Sequence, residues 1–130
     1  MGETMTSGHI HRAALKRLFE VLGNDVEELE ELRGDYVEDA PALARRISEA
    51  ASKGDWTALR IAAHTLKSNA HDFGATRLSE LCAFLEKACY HGGPADADAL
   101  AEGIAQEEEA ARKALLDVSF EDIARPSPDA

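Results

Sequence analysis

Long apolar runs are missing from this sequence. No stretch approaches the roughly 20 apolar residues that span a bilayer, which argues against a membrane-spanning segment. The opening Met1-Gly2-Glu3-Thr4-Met5-Thr6 lacks the basic and apolar blocks of a secretory signal. Basic residues are also scarce: 14 Lys and Arg stand against 25 Asp and Glu, for a formal net charge of −11. Phosphate backbones would repel such a chain, so nucleic acid is not an expected partner. There are two cysteines, Cys82 and Cys89. Two helical turns separate them by roughly 10 Å of rise, too far for a disulfide within an intact helix. They read as buried thiols of a protein in the reducing cytoplasm.

Metal and nucleophile patterns are lacking as well. His9 and His11 are two residues apart and cannot share one helix face, so they make a poor metal pair. None of the five histidines has a glutamate three residues before it, which excludes the Glu-x-x-His di-iron pattern. The cysteines lack zinc-ligand spacing, no triad is visible around Ser68, and no Gly-rich phosphate loop occurs. Neither metal site nor intrinsic cofactor is expected, and a self-contained enzyme is poorly supported.

What the chain does have is helical periodicity. At 130 residues it is expected to form one domain. Residues 1–8 are small and polar and read as a flexible N-terminus. Ala14, Leu15, Leu18, Phe19 and Leu22 predict a short amphipathic helix ending near Gly23. A long helix follows, capped by Asn24 or Asp25, acidic at its start and basic near its end, as the helix dipole favours. Its core face is Val26, Leu29, Leu32, Tyr36, Val37, Leu43 and Ile47, and Pro41 predicts a bend or break. Gly54 closes it and Asp55 caps the next helix, where Trp56 reads as a packing anchor.

That next helix buries a stripe of Ala62, Ala63, Leu66, Ala70 and Phe73 and ends at Gly74. Thr76 is expected to cap a further helix with Leu78, Leu81, Cys82, Leu85 and Cys89 inward. Pro94 is expected to open the last one, with Leu100, Ile104, Ala111, Leu115 and Val118 inward and Glu107, Glu108 and Glu109 solvated. No alternating strand pattern and no internal repeat appear. The expected fold is all-α: an antiparallel up-and-down four-helix bundle over residues 9–118, with an additional short N-terminal helix and a flexible tail over 119–130.

His64 lies off the apolar stripe, on the wet face. Arg60, Lys67 and Ser68 are its helical neighbours, and His71 lies two turns along. An imidazole is largely neutral near pH 7, so one ring nitrogen is a free nucleophile. A phosphoryl group placed there brings about two negative charges, which Lys67 could offset. Ser68 is small enough to let a partner's active site reach the ring, and could donate a hydrogen bond to a phosphoryl oxygen.

The run His64-Thr65-Leu66-Lys67-Ser68, with Gly74 ten residues after the histidine, resembles the histidine-containing phosphotransfer (HPt) domain. Its pattern is His-x-Leu-Lys-Gly; Ser68 replaces the usual glycine with another small residue. Gly54-Asp55-Trp56, Leu78, Leu81, Leu85 and Glu86 also fit, and the resemblance spans Ile10 to Val118. It implies a phosphocarrier rather than an enzyme: His64 takes a phosphoryl group from an aspartyl phosphate on a receiver domain and passes it to another receiver. Mg²⁺ and most catalytic groups belong to the receiver. Expected partners are receiver domains of response regulators or hybrid histidine kinases, met by a cytoplasmic monomer, either a free-standing shuttle or a module of a larger kinase. Arg60, Ser68 and His71 would govern docking and access. In the family a polar side chain on the adjacent helix often holds the histidine's other nitrogen. Counting out from the Gly74 turn places Cys82 to Glu86 opposite His64, and Glu86 is the strong acceptor among them. A glutamate on a solvated edge is its alternative reading. The competing functions are a bundle that docks on and sequesters a receiver with His64 idle, and a metal- or small-molecule-binding bundle.

Overall fold

The computed structural model describes residues 8–126. Among them there are six helices and no strand: α1 Arg12–Val21, α2 Val26–Lys53, α3 Trp56–Asp72, α4 Thr76–Cys89, α5 Ala97–Leu116 and α6 Phe120–Ala124. Helices α2 to α5 form the four-helix bundle, with α3 between α2 and α4, and α5 closing the ring against α2 and α4. The expected inward stripes meet in one core. Leu29, Ile47, Leu59, Leu66, Leu78, Leu85, Ile104 and Leu115 are all essentially inaccessible to water. Their removal from water is the main drive for assembly.

Caps set the helix starts. Asp25, not Asn24, caps α2, its side chain accepting from the Glu28 N–H at 3.2 Å. Asp55 does the same for α3 from the Ala58 N–H at 3.1 Å. The expectation for Thr76 fails: Ala75 is the N-cap of α4 and no side chain caps it. The reason is the tight connection, in which the Ala75 N–H donates back to the Ala70 carbonyl at 2.8 Å and α4 starts at once. Pro94 likewise does not open α5, which starts at Ala97 after Asp96.

Pro41 does not break α2, which is one helix of 28 residues. A proline removes a donor and crowds the preceding turn. Here Ala40, Leu43, Ala44 and Ile47 are buried beside it, and packing against α3 and α5 on two sides carries the helix through.

The tail expected over 119–130 is wrong for 120–124. Phe120 and Ile123 of α6 are buried. The Arg33 guanidinium lies 4.0 Å from the Phe120 ring centroid and donates to the carbonyls of Leu115 and Val118 at 3.2 and 3.0 Å. Lys16 donates to the Ile123 carbonyl at 3.1 Å. These contacts fold the chain back over the bundle end, where α1 also packs on α6. Residues 1–7 and 127–130, read as flexible, lie outside the described residues.

Two of three glutamates expected in solvent are buried. Glu108 accepts from Arg112 Nε at 2.7 Å, and Glu107 pairs with His9 Nδ1 at 2.7 Å; only Glu109 is exposed. Paired in this way, a carboxylate tolerates burial. Cys82 is buried and its thiol is pushed up to about 12 by desolvation, so it is no nucleophile at neutral pH. Cys89 is only half-buried, against the expectation of full burial.

Tyr36 packs on Phe73 at 5.0 Å between ring centroids. Among the described residues its buried hydroxyl has no hydrogen-bond partner, and burial raises its pKa. Deleting an unsatisfied polar atom removes its desolvation cost. Tyr36→Phe is therefore expected to stabilise the fold by about 1 kcal/mol, read as a higher denaturant midpoint at unchanged slope; a clear loss of stability would show that the hydroxyl is satisfied in solution.

Candidate phosphoacceptor site

The site is built where α3 and α4 run antiparallel. Leu66 and Ala63 anchor α3 in the core, which turns His64 outward. Its side chain is 58 % exposed. Across the groove, Leu85 is buried and Glu86 beside it reaches back toward α3. His64 Nδ1 lies 2.8 Å from Glu86 Oε2. The other oxygen, Oε1, accepts from Lys67 Nζ at 2.7 Å. One carboxylate therefore ties two residues of α3, one turn apart.

The Lys67 hydrogen bond, helped by that of His64 and opposed by desolvation, holds the Glu86 carboxyl below the usual carboxylate range. Glu86 is thus ionised at neutral pH and can only accept. It follows that the proton of a neutral His64 ring resides on Nδ1. Nε2 then carries the lone pair and makes no hydrogen bond among the described residues.

The remaining candidates divide. Ser68 and His71 are exposed and line, with Lys67, Asp72 and Ser79, a shallow groove beside the ring. Arg60 lies one turn before His64 but is engaged elsewhere: it donates to Tyr90 Oη at 3.2 Å and stacks 5.1 Å from that ring's centroid. Tyr90 was not among the expected residues. Its spacing of four from Glu86 on the same helix face was the available signal. Gly74 follows α3 with φ of 78°, and a Cβ there would fall 2.5 Å from the His11 carbonyl oxygen. The segment before α1 lies against this turn, with the His11 N–H donating to the Gly74 carbonyl at 2.8 Å.

No curated protein sequence matches the chain. Among solved structures, the chain is similar to histidine-containing phosphotransfer protein B (HptB) from Pseudomonas aeruginosa PAO1. The TM-score is 0.75 and the identity 27 %, over 93 % of this chain and 99 % of that one. The family model for the Hpt domain matches residues 31–117, more than half of the chain and inclusive of His64, Lys67 and Glu86. With an all-helical bundle, an exposed histidine on its third helix and that match, this chain belongs to the Hpt domain family.

Proposed function

We propose that the protein carries a phosphoryl group on His64 Nε2 in a two-component phosphorelay, taking it from the aspartyl phosphate of one receiver domain and giving it to another. The observation that carries this reading is the exposed ring held at Nδ1 by Glu86, with Nε2 making no hydrogen bond among the described residues. In the transfer, the Nε2 lone pair forms the N–P bond. The P–O bond to the donor aspartate breaks and its electrons leave with the carboxylate. The Nδ1 proton stays in place, so positive charge develops on the ring beside the Glu86 carboxylate. Lys67 brings one positive charge into the same cluster, toward the two negative charges of the phosphoryl group.

Mg²⁺ and the acid–base groups belong to the receiver in this reading, and the chain is a carrier with a positioned nucleophile rather than an enzyme. It works as a monomer in the cytoplasm; among the described residues no helix is long and apolar enough to cross a membrane. The test is to mix it with a phosphorylated receiver and Mg²⁺. Acid-labile, alkali-stable phosphate is expected on the protein; none on any receiver tried would refute the reading.

Ser68 is assigned to steric access. Its neighbour is the ring, and its own side chain is exposed. Ser68→Arg is expected to weaken receiver binding about tenfold or more, roughly 1.4 kcal/mol, while the melting temperature holds. Wild-type affinity in that variant, measured by calorimetry, would remove any role for the space beside His64.

A further inference from the structure

A second contact crosses the groove between α3 and α4 beside that of His64 and Glu86. Arg60 Nη1 donates to Tyr90 Oη at 3.2 Å, and the guanidinium carbon lies 5.1 Å from that ring's centroid. Arg60 stands four residues before His64 on α3, and Tyr90 four after Glu86 on α4. The two contacts are therefore consecutive rungs between antiparallel helices. The partner of Arg60 is unusual for its charge. The chain carries 25 Asp and Glu, yet among the described residues no carboxylate pairs with this guanidinium, which rests on a neutral phenol. Its α3 neighbours at three and four residues are Trp56, Thr57, Ala63 and His64, none of them acidic. The acid of the next rung, Glu86, is taken by Lys67 and His64.

The other cations near the site are committed or remote. Lys67 is tied to Glu86 at 2.7 Å, and His71 lies two turns from His64. Arg46 and Lys53 of α2 line, with Glu49, a groove that α3 borders with Ile61 and Thr65. Arg60 thus offers a charge that no carboxylate balances, one turn from the nitrogen where about two negative charges would arrive. The reach is available. Residues four apart on a helix have Cβ atoms about 5–6 Å apart, so rotation of the Arg60 side chain alone can bring its guanidinium to a group on His64 Nε2. The two partners are unequal. Tyr90 is 65 % exposed, and a cation–π contact in water is weak. A guanidinium–phosphoryl pair is charge-assisted and can be bidentate, with hydrogen bonds roughly twice as strong as neutral ones.

We propose, resting on the phosphoacceptor role of His64, that Arg60 is a phosphoryl-responsive ligand: it rests on Tyr90 while His64 is bare, and moves to the phosphoryl group on Nε2 once His64 is modified, leaving Tyr90 uncovered. The bare and phosphorylated forms then present different surfaces at the Tyr90 end of the site, one with the phenol covered and one with it free. A receiver that contacts this end can tell a loaded carrier from an empty one.

The test uses the free protein, labelled with phosphoramidate, Nε2 forming the N–P bond as ammonia leaves. On labelling, the Arg60 Nε–H and Tyr90 ring NMR signals are expected to move together, and in Arg60→Gln the Tyr90 signals are expected to move far less. ³¹P NMR then reads the titration midpoint of the phosphoryl group. A nearby cation favours the dianion, so Arg60→Gln is expected to raise that midpoint on the order of half a pH unit. Tyr90→Leu removes the rival partner and keeps the cation, so its midpoint is expected at or below the wild-type value. A contact that merely held the two helices would move both variants in the same direction. The proposal is overturned if Arg60 and Tyr90 signals hold still on labelling, if Tyr90 moves as much without Arg60, if Arg60→Gln leaves the midpoint unchanged, or if Tyr90→Leu raises it. All of these leave His64 as the phosphoacceptor. No phosphate on wild-type His64, from phosphoramidate or from a phosphorylated receiver, would instead overturn the parent reading and this proposal with it.

Discussion

His64→Gln is expected to accept no phosphate from a phosphorylated receiver, down to the background of the assay, with unchanged helical content and a melting temperature within about 2 °C of wild type. The side chain is mostly outside the core, so its replacement opens no cavity. Glutamine is as good a helix former as the position needs and can still donate an N–H to Glu86. It has no ring lone pair, so no phosphoramidate bond can form. The other histidines are internal controls. His9 is paired with Glu107, and His11 lies at the bundle end against Gly74. His91 lies beyond α4. His71 shares the groove with Ser68, but Asp72 is in that groove too and would repel a phosphoryl group. Mass spectrometry at neutral or alkaline pH should place the modification on His64 alone. Phosphate on His71, or normal labelling of the His64→Gln protein, would leave the chain without its assigned nucleophile.

The largest loss of stability is expected at a residue with no side chain. Gly74→Ala puts a methyl group 2.5 Å from the His11 carbonyl oxygen and 3.1 Å from the Ala14 side chain. The first neighbour is backbone, itself held by the hydrogen bond from the His11 N–H to the Gly74 carbonyl, so it cannot step aside without breaking that bond. The φ of 78° adds the left-handed strain of any L residue. Together these should cost about 2 kcal/mol or more and lower the melting temperature by roughly 5 °C or more. The loss should be accompanied by faster hydrogen exchange in residues 9–14. A Gly74→Ala protein as stable as wild type would mean that the segment before α1 does not dock on the α3–α4 turn in solution.

The four long helices were legible because each presents a core stripe long enough for a 3.6-residue period to show, as in Ala62, Ala63, Leu66 and Ala70. The placement of Glu86 opposite His64 was legible for a related reason: a tight turn at Gly74 fixes how two antiparallel helices count against each other. Its second partner was not. Lys67 and Glu86 are 19 positions apart, and nothing in their spacing says that one carboxylate would bridge Lys67 and His64. Helix α6 was invisible because two buried residues in five, Phe120 and Ile123, define no period; their anchors, Arg33 and Lys16, are remote in the chain. Glu107 and Glu108 were misread because charge alone predicts exposure, whereas their burial depends on partners, His9 and Arg112. Pro41 was misread in the opposite sense, a local breaker overruled by packing on two flanks.

The chain has one tryptophan, Trp56, at the start of α3. Its indole lies against Gly93, where any Cβ would run into the ring. The emission of this fluorophore therefore reports on one end of the bundle, the end where α4 leaves through Tyr90 and its Arg60 contact. It says little of the opposite end, where α1, α6 and the His11–Gly74 contact gather. Far-ultraviolet circular dichroism, by contrast, weighs all the helices together. Unfolding curves from the two signals should coincide if both ends melt as a single cooperative unit. A tryptophan transition that ran ahead of the helical one would mark a separately opening end, seen without any label.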